Sequence, residues 1–274
     1  MSTEKTEAYY NSPDADLFYR IIWGGEDIHI GLYTHPTTPI AEASRQTIYR
    51  MLSYLPLLQQ RSEVLDLGAG YGGAARQLAR LKACRITCLN LSEVENTYNQ
   101  QRNLESGLYP LIDVVHGNFE NLPFSDQSFD VVWSEDAFLH SAQKPRIFAE
   151  AFRVLRPGGT FIFTDPMQSD NCPPGVLAPI LQRLSLTDMA SPSTYQALAR
   201  IHHFRDVQFE DLSPHLTQHY RAVRKRLRHK REDLLARGCS KAYLDNLERG
   251  LTHWVTGGTA GWLAWGIFVL RKDW

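Results

Sequence analysis

The sequence is poor in cysteine, carries no surplus of either charge and has no long apolar run. Each absence removes a class of protein. Its 274 residues hold four cysteines, Cys84, Cys88, Cys172 and Cys239. They are too few and too scattered to frame a disulfide-stapled fold. Cys84 and Cys88 stand four apart, but Ile86, Thr87 and Leu89 make the run strand-like. Buried or free thiols are therefore expected there, and no metal site. The formal net charge is −1, with 22% of residues charged. That balance gives no reason to expect nucleic acid or an anionic membrane as partner. No apolar run approaches the length that spans a bilayer, and no N-terminal apolar core reads as a signal peptide. Repeats and low-complexity segments are missing too. A cytoplasmic globular protein is expected, a monomer or homodimer. The chain is long enough for one large core, or one core with a sizeable insertion.

Residues 1–12 are polar and read as disordered, or helical only on docking. From Asp16 to Tyr33 aromatics crowd together, with Phe18, Tyr19, Trp23 and Tyr33 around GGEDIHIG. So aromatic a segment should pack on something. Glu42 to Gln59 has the spacing of a helix, with Ile48, Met51, Leu52 and Leu55 on one face. Strands are then expected at Val64–Leu67, Cys84–Asn90, Ile112–His116, Phe129–Trp133 and Thr160–Thr164. Helices alternate with them at Gly72–Leu81, Ser92–Ser106 and Lys144–Leu155, and Arg156 to Gly159 reads as a turn. Alternation of this kind argues for a parallel, doubly wound sheet. After Asp165 the pattern changes. DPMQSDNCPPG is a loop, and helices are expected at Leu177–Leu186, Ser193–His202 and Leu216–Ala236. GLTHWVTGGTAG leads to a last strand over Trp262–Leu270. The expected fold is α/β: a Rossmann-like, doubly wound, mixed seven-stranded sheet. It has an N-terminal aromatic helical segment and a mainly helical cap inserted after strand five. Within one domain, 1–60 would form a helical lid, 61–165 the cofactor-binding core, 166–250 the cap, and 251–274 the closing strands.

The most informative stretch is VLDLGAGYGGAARQLAR, Val64 to Arg80. An apolar run ends in Asp66, and Gly68, Gly70, Gly72 and Gly73 follow before an amphipathic helix. In open α/β sheets the loop after the first strand faces the ligand. Glycines let the backbone approach closely there and take positive φ. The pattern is D-x-G-x-G-x-G-G. A nucleotide-dehydrogenase loop reads G-x-G-x-x-G without that aspartate. A phosphate-binding P-loop needs Gly-Lys-Ser/Thr, which is missing. Asp66 is poorly placed to welcome a pyrophosphate and suits a cationic or amino-bearing ligand. S-adenosylmethionine is one such ligand. A Rossmann domain for another nucleotide is the alternative.

Several motifs stand in one order: VLDLGAGYG, CLNLS, GNFENLPF, LPFSDQSFDVVWSEDAFLH and FRVLRPGGTFIFTD. In that order they resemble the class I S-adenosylmethionine-dependent methyltransferases. The resemblance implies S-adenosylmethionine as cofactor, with Asp66, Gly68, Ala69 and Gly70 in its glycine loop. Asn90 and Leu91 end the second strand, where the family places an acidic residue on the ribose hydroxyls. Asn90 departs from that habit, being neutral. Asn118 and Phe119 would lie beside the adenine. Trp133 and Ser134, with Tyr19 and Trp23 from the N-terminal segment, complete the implied cofactor contacts. The N-terminal YYNS…FYRIIWGGEDIHIGLY is similar to small-amine N-methyltransferases. SEDAFLH is similar to phosphoethanolamine methyltransferases, whose corresponding aspartate and histidine lie in the active site. FTDPMQSDNCPPGVLAPILQRL and LTHWVTGGTAGWLAWGI look like sarcosine/dimethylglycine N-methyltransferases, which make glycine betaine. The likeness runs from Tyr9 to Ile267. It implies osmolyte synthesis by methylation of sarcosine, dimethylglycine or both. The alternative is another small amine or phosphobase, such as phosphoethanolamine.

The proposed chemistry makes its own demands. The amine must be neutral to attack, yet it is mostly protonated at neutral pH, so a proton must be removed or the neutral form selected. The product gains a fixed positive charge, which aromatic faces and carboxylates favour as it develops. Asp136 and His140 stand four apart and would share a face on a helical turn. Histidine is well matched to proton removal near neutrality. Tyr10, Asp136 and His140 are thus the catalytic candidates. Tyr10, Met167, Arg183, Tyr220 and Trp254 are the substrate-binding candidates, with His219 and His253 further possible partners of the substrate carboxylate. Plainer readings stand beside these. Tyr19 and Trp23 would equally serve as packing, Trp133 as core, His140 as a structural histidine and Asp136 as a helix cap. Alignment and desolvation alone also rival acid–base catalysis. RAVRKRLRHKR has seven Lys/Arg in eleven residues. A nucleic-acid site is the sharper reading of it and a solvated helix face the plainer one, since Val223, Leu227 and Leu234 would face inward.

Overall fold

The computed structural model describes the chain from Thr3 to Asp273. Its N-terminal residues are ordered as helices: α1 (Thr3–Tyr10), then α2 (Pro13–Phe18), then a π-helical turn over Tyr19–Trp23. Ser12 caps α2 by accepting from the Ala15 N–H, and Pro13 sits where its missing N–H costs nothing. α3 (Ile40–Ser53) ends earlier than its apolar spacing suggests. Pro56 cannot continue a helix and disfavours helical backbone in the residue before it.

The alternating half follows: β1 (Glu63–Leu67), α4 (Gly73–Lys82), β2 (Arg85–Asn90), α5 (Glu93–Glu105), β3 (Ile112–His116), β4 (Phe129–Glu135), α6 (Lys144–Val154) and β5 (Leu155–Thr164). After β5 come β6 (Met167–Gln168), α7 (Ala178–Leu184), α8 (Pro192–Ile201), β7 (Arg205–Asp211), α9 (Ser213–Ala236), α10 (Lys241–Thr259), β8 (Leu263–Ala264) and β9 (Gly266–Arg271). The main sheet has seven strands in the order β3-β2-β1-β4-β5-β9-β7. Strands β1 to β5 are parallel, and β9 runs antiparallel between β5 and β7. β6 and β8 form a separate short ribbon.

The central strands are covered on both faces, as parallel strands must be. One face packs Leu65, Leu67, Val132, Phe161 and Phe163 against Phe148 of α6 and Tyr195 of α8. The other packs Val64, Ile86, Val131 and Ile162 against Ile48 and Met51 of α3 and Leu78 of α4. A third core lies outside the sheet. Phe18, Ile22 and Trp23 meet Leu216, Tyr220, Val223 and Leu227 of α9 and Leu247, Leu251 and Trp254 of α10. The aromatic N-terminal segment is therefore the underside of the helical cap.

Two features depart from the expected layout. The stretch read as a helical cap also supplies β7, the edge strand of the sheet. Its sequence RDVQFED alternates charge with Val207 and Phe209, which lean on the core. A short charged edge strand blunts aggregation and hides its own signal. The segment GLTHWVTGGTAG, read as the approach to the last strand, belongs mostly to α10, which crosses residue 250 without a break. Among the described residues no helix is long and apolar enough to cross a membrane.

Candidate active site

Two cavities open beyond the carboxyl ends of the parallel strands. The first is lined by Gly68, Gly70, Asn90, Leu91, Glu95, Asn118 and Phe119. The second is lined by Tyr9, Tyr19, Trp23, Arg183, Tyr220 and Trp254. Tyr10, Ile28, Asp136 and His140 line both. The three catalytic candidates thus stand where a group held in one cavity meets a group held in the other.

Local backbone explains how they come together. Asp136 follows β4 with φ 55°, a left-handed conformation costly for a residue with a Cβ. The 136–140 segment is no regular helical turn. Asp136 is left-handed, and Phe138–His140 is a single 3-10 turn. Three donors hold the strained aspartate. Oδ2 accepts from the Ile30 N–H at 2.6 Å, and Oδ1 accepts from Trp265 Nε1 at 2.7 Å and Thr164 Oγ1 at 2.8 Å. Its carboxylate ties the GGEDIHIG loop to the end of the sheet. Burial raises its pKa, and the three donors pull against that rise.

His140 Nε2 lies 3.0 Å from the Tyr10 hydroxyl, joining the N-terminal helix to the sheet. Its Nδ1 is sealed from solvent and has no partner among the described residues. Burial, with Lys144 and Arg183 nearby, lowers its pKa to about 4, so the ring is neutral at physiological pH. A neutral imidazole is the form that can take a proton.

Behind the glycine loop lies a small recess lined by Asp27, His29, Asp66 and Glu135. His29 Nε2 stands 3.4 Å from Glu135 and 3.8 Å from Asp27. Burial alone would discharge His29, but the Glu135 and Asp27 carboxylates overcome it and push the pKa up to about 10. Burial raises Asp66 to about 7 and Glu135 to about 8. Asp27 Oδ1, Asp66 Oδ2 and Glu135 Oε1 are buried without hydrogen-bond partners among the described residues. With three carboxyl groups around the one His29 cation, Asp66 and Glu135 are drawn toward the protonated form near neutral pH, and a second cation in the recess would favour their ionised forms.

The structure separates the remaining candidates. Gly68, Gly70, Asn90, Leu91, Asn118 and Phe119 face the first cavity, while Asp66 and Ala69 face the recess. Tyr19 and Trp23 line the second cavity, which adjoins the first through Tyr10, Ile28, Asp136 and His140. Trp133 and Ser134 are fully buried in the sheet. Trp133 Nε1 donates to Glu135 at 3.1 Å, and Ser134 Oγ bonds the Leu67 carbonyl, so both act as scaffold. They lie on β4, whose residues pack on both faces before the strand reaches its open end. Met167 is likewise core, on the short ribbon, and its neighbour Pro166 lines the second cavity instead. Arg183, Tyr220 and Trp254 line that cavity together. The Tyr220 and Trp254 rings stack at 4.7 Å. His219 is buried behind Trp23, where its Nδ1 meets the Gly31 N–H and the Tyr33 hydroxyl, and burial lowers its pKa to about 3.

Sequence reasoning missed Asp27, His29, Glu95 and Glu135. For Glu95 a signal existed: Ser92-x-x-Glu95 has the spacing of a capping box. Three of the seven basic residues in the run form ion pairs. Arg228 and Arg231 meet Glu248, Arg231 also meets Asp245, and Lys230 meets Asp233. Val223, Leu227 and Leu234 turn inward.

Comparisons with known proteins agree with one another. Residues 65–163 match a family model described as a methyltransferase domain. The sarcosine/dimethylglycine N-methyltransferase of Halorhodospira halochloris is 52% identical over 98% of this chain and 96% of its own length. That of Aphanothece halophytica is 44% identical over 98% of this chain and 97% of its own. A crystal structure described as a putative sarcosine dimethylglycine methyltransferase from Galdieria sulphuraria superposes with a TM-score of 0.91. It is 42% identical and covers 97% of this chain and 99% of that one.

Proposed function

Since the chain belongs to the sarcosine/dimethylglycine N-methyltransferase family, we propose that it methylates the amine nitrogen of sarcosine and of N,N-dimethylglycine. The methyl donor is S-adenosylmethionine, and the end product is glycine betaine, an osmolyte. The observation that carries the reading is the Tyr10–His140 pair, which stands at the meeting point of the two cavities. We place the reaction in the cytoplasm, on free small molecules rather than nucleic acid.

The residues fit the cofactor. Asp27, Asp66 and Glu135 each keep a buried carboxyl oxygen with no hydrogen bond among the described residues, and with His29 the one cation facing two of them they suit the ammonium of its amino acid end. Gly68 has φ +75°, and a Cβ there would lie 2.5 Å from Ala137 Cβ, so only glycine lets that wall of the cavity form. Asn118 and Phe119 would flank the adenine. When bound, the cofactor supplies an electrophilic methyl group on a sulfonium.

The chain's own groups do the rest. The Tyr10 hydroxyl receives the amine proton and passes its own to the neutral Nε2 of His140, which leaves the nitrogen lone pair free. Tyr19, Trp23, Tyr220 and Trp254 present aromatic faces to the cation as it develops. Asp136, fixed by its three donors, adds negative potential that needs no rearrangement. Arg183 holds the substrate carboxylate: its Nε is buried, has no partner among the described residues and belongs to the second cavity. The N-terminal helices through Trp23 act as a lid and the α7–α10 region as the cap that excludes water. The test is methyl transfer to dimethylglycine, with betaine identified by mass. Silence on sarcosine and dimethylglycine while S-adenosylhomocysteine still binds would overturn the substrate and leave the fold standing.

A further inference from the structure

The short turn that carries His140 is held on both sides by buried ionisable groups that the chemistry above leaves unused. Asp165 follows β5 and is fully buried. Its Oδ1 accepts from the Leu139 N–H at 2.9 Å, and its Oδ2 accepts from the Tyr195 hydroxyl at 2.6 Å. The Tyr195 ring is itself stacked on Phe148 of α6 at 5.7 Å, so the carboxyl has a fixed neighbour. Lys144 opens α6, is 8% exposed, and donates from Nζ to the Ser141 carbonyl at 2.8 Å. The residues immediately before and after His140 are thus each bonded to a buried side chain. The turn's own bonds are few. The Ser141 N–H reaches the Phe138 carbonyl at 3.0 Å, and the His140 N–H reaches the Ala137 carbonyl at 3.4 Å. A single 3-10 turn so bonded does not fix itself. Keeping a carboxyl and an ammonium out of water to brace it is expensive.

We propose that Asp165 and Lys144 are positioning residues for His140: they fix the backbone on either side of it and so aim Nε2 at the Tyr10 hydroxyl. Tyr10 arrives on a separate helix, α1, so its 3.0 Å contact with His140 depends on where the turn is held. This gives the aspartate of FTDPMQ a task, one residue before Pro166 at the wall of the second cavity. It rests on the reading that Tyr10 passes the substrate's proton to His140.

Steady-state rates on dimethylglycine at saturating S-adenosylmethionine, in single and double variants of the full chain, test the assignment. Asp165→Ala should lower kcat about 10- to 100-fold, the cost of a small misplacement, and leave KM for dimethylglycine and Kd for S-adenosylhomocysteine nearly unchanged. Asp165→Asn keeps an oxygen for the Leu139 N–H and should recover most of that loss. Lys144→Met keeps the stem, removes the donor to Ser141 and should lower kcat without raising KM. In a His140→Ala background neither Asp165→Ala nor Lys144→Met should cost more than about 2-fold further, because residues that act through one another do not add. For either anchor, an unchanged kcat in the single variant, or the full further loss in the His140→Ala background, would overturn its positioning role. An unchanged kcat in His140→Ala alone would instead overturn the proton-transfer reading.

Discussion

At the scale of single residues, the site depends on two histidines held in opposite charge states. His140 is kept neutral by burial, with a pKa of about 4. His29 is kept cationic by Glu135 and Asp27, with a pKa of about 10. The first difference predicts kinetics. His140→Ala should lower kcat by about 10²- to 10⁴-fold, the usual loss of a positioned proton acceptor, and leave the Kd for S-adenosylhomocysteine nearly unchanged. At saturating S-adenosylmethionine, where the bound ammonium holds Asp66 and Glu135 ionised, kcat should show no acid limb near 6.5 from His140, because its imidazole stays unprotonated to about pH 4. An unchanged kcat in the variant would remove His140 from the mechanism. The second difference predicts stability. His29→Gln leaves buried carboxylates without their cation and should cost about 3 kcal/mol. The folded pKa of His29 lies above its unfolded value. Its contribution is therefore fully present below about pH 6.5 and is lost as pH rises toward about 10. The difference in Tm between the two proteins should shrink over that range, and a constant difference would contradict the ion-pair account. His140 was legible in the sequence through SEDAFLH. The charge of His29 was not, because Glu135, its nearer carboxylate partner, comes from a distant strand and meets it only after folding.

At the scale of elements, the parallel strands and their helices were legible because each carries its own period and its own punctuation. The edge strand β7 was not, since its stability comes from pairing with β9 rather than from apolar content. The Gly257-Gly258 pair in α10 misled for a different reason, because glycines ordinarily mark the end of a helix. Both glycines sit inside a helix, where a Cβ on Gly258 would run into Thr217 of α9. Gly250 of α10 shows what such a contact can do. A Cβ there would press on Arg183, its Cζ only 2.9 Å away, so the bare helix surface is the seat of that arginine. Gly250→Ala should therefore stiffen α10, worth up to about 1 kcal/mol in its favour. It should also raise KM for dimethylglycine about 10-fold by displacing the carboxylate receptor. Kinetics and thermal unfolding on one variant separate the two effects. An unchanged KM would detach Arg183 from the substrate.

At the scale of the whole molecule, the site exists only where three distant parts of the chain converge. The glycine loop and strand ends supply one cavity. The cap helices supply the other, and the N-terminal segment passes between them. Trp133 and Met167 show the limit of reading such a site from a motif. Their places in the sequence matched, but the strand pleat and the short ribbon turn their side chains into the core. The runner-up substrate, a phosphobase, bears a phosphate where dimethylglycine bears a carboxylate. Within the described residues of the second cavity, Arg183 is the cation that lines it. One positive group suits a singly charged carboxylate better than a phosphate. The most direct test is kcat/KM measured side by side for dimethylglycine, sarcosine, glycine and phosphoethanolamine with S-adenosylmethionine. Turnover on dimethylglycine and sarcosine, with little on glycine and none on phosphoethanolamine, is the predicted result. Preference for phosphoethanolamine would contradict it.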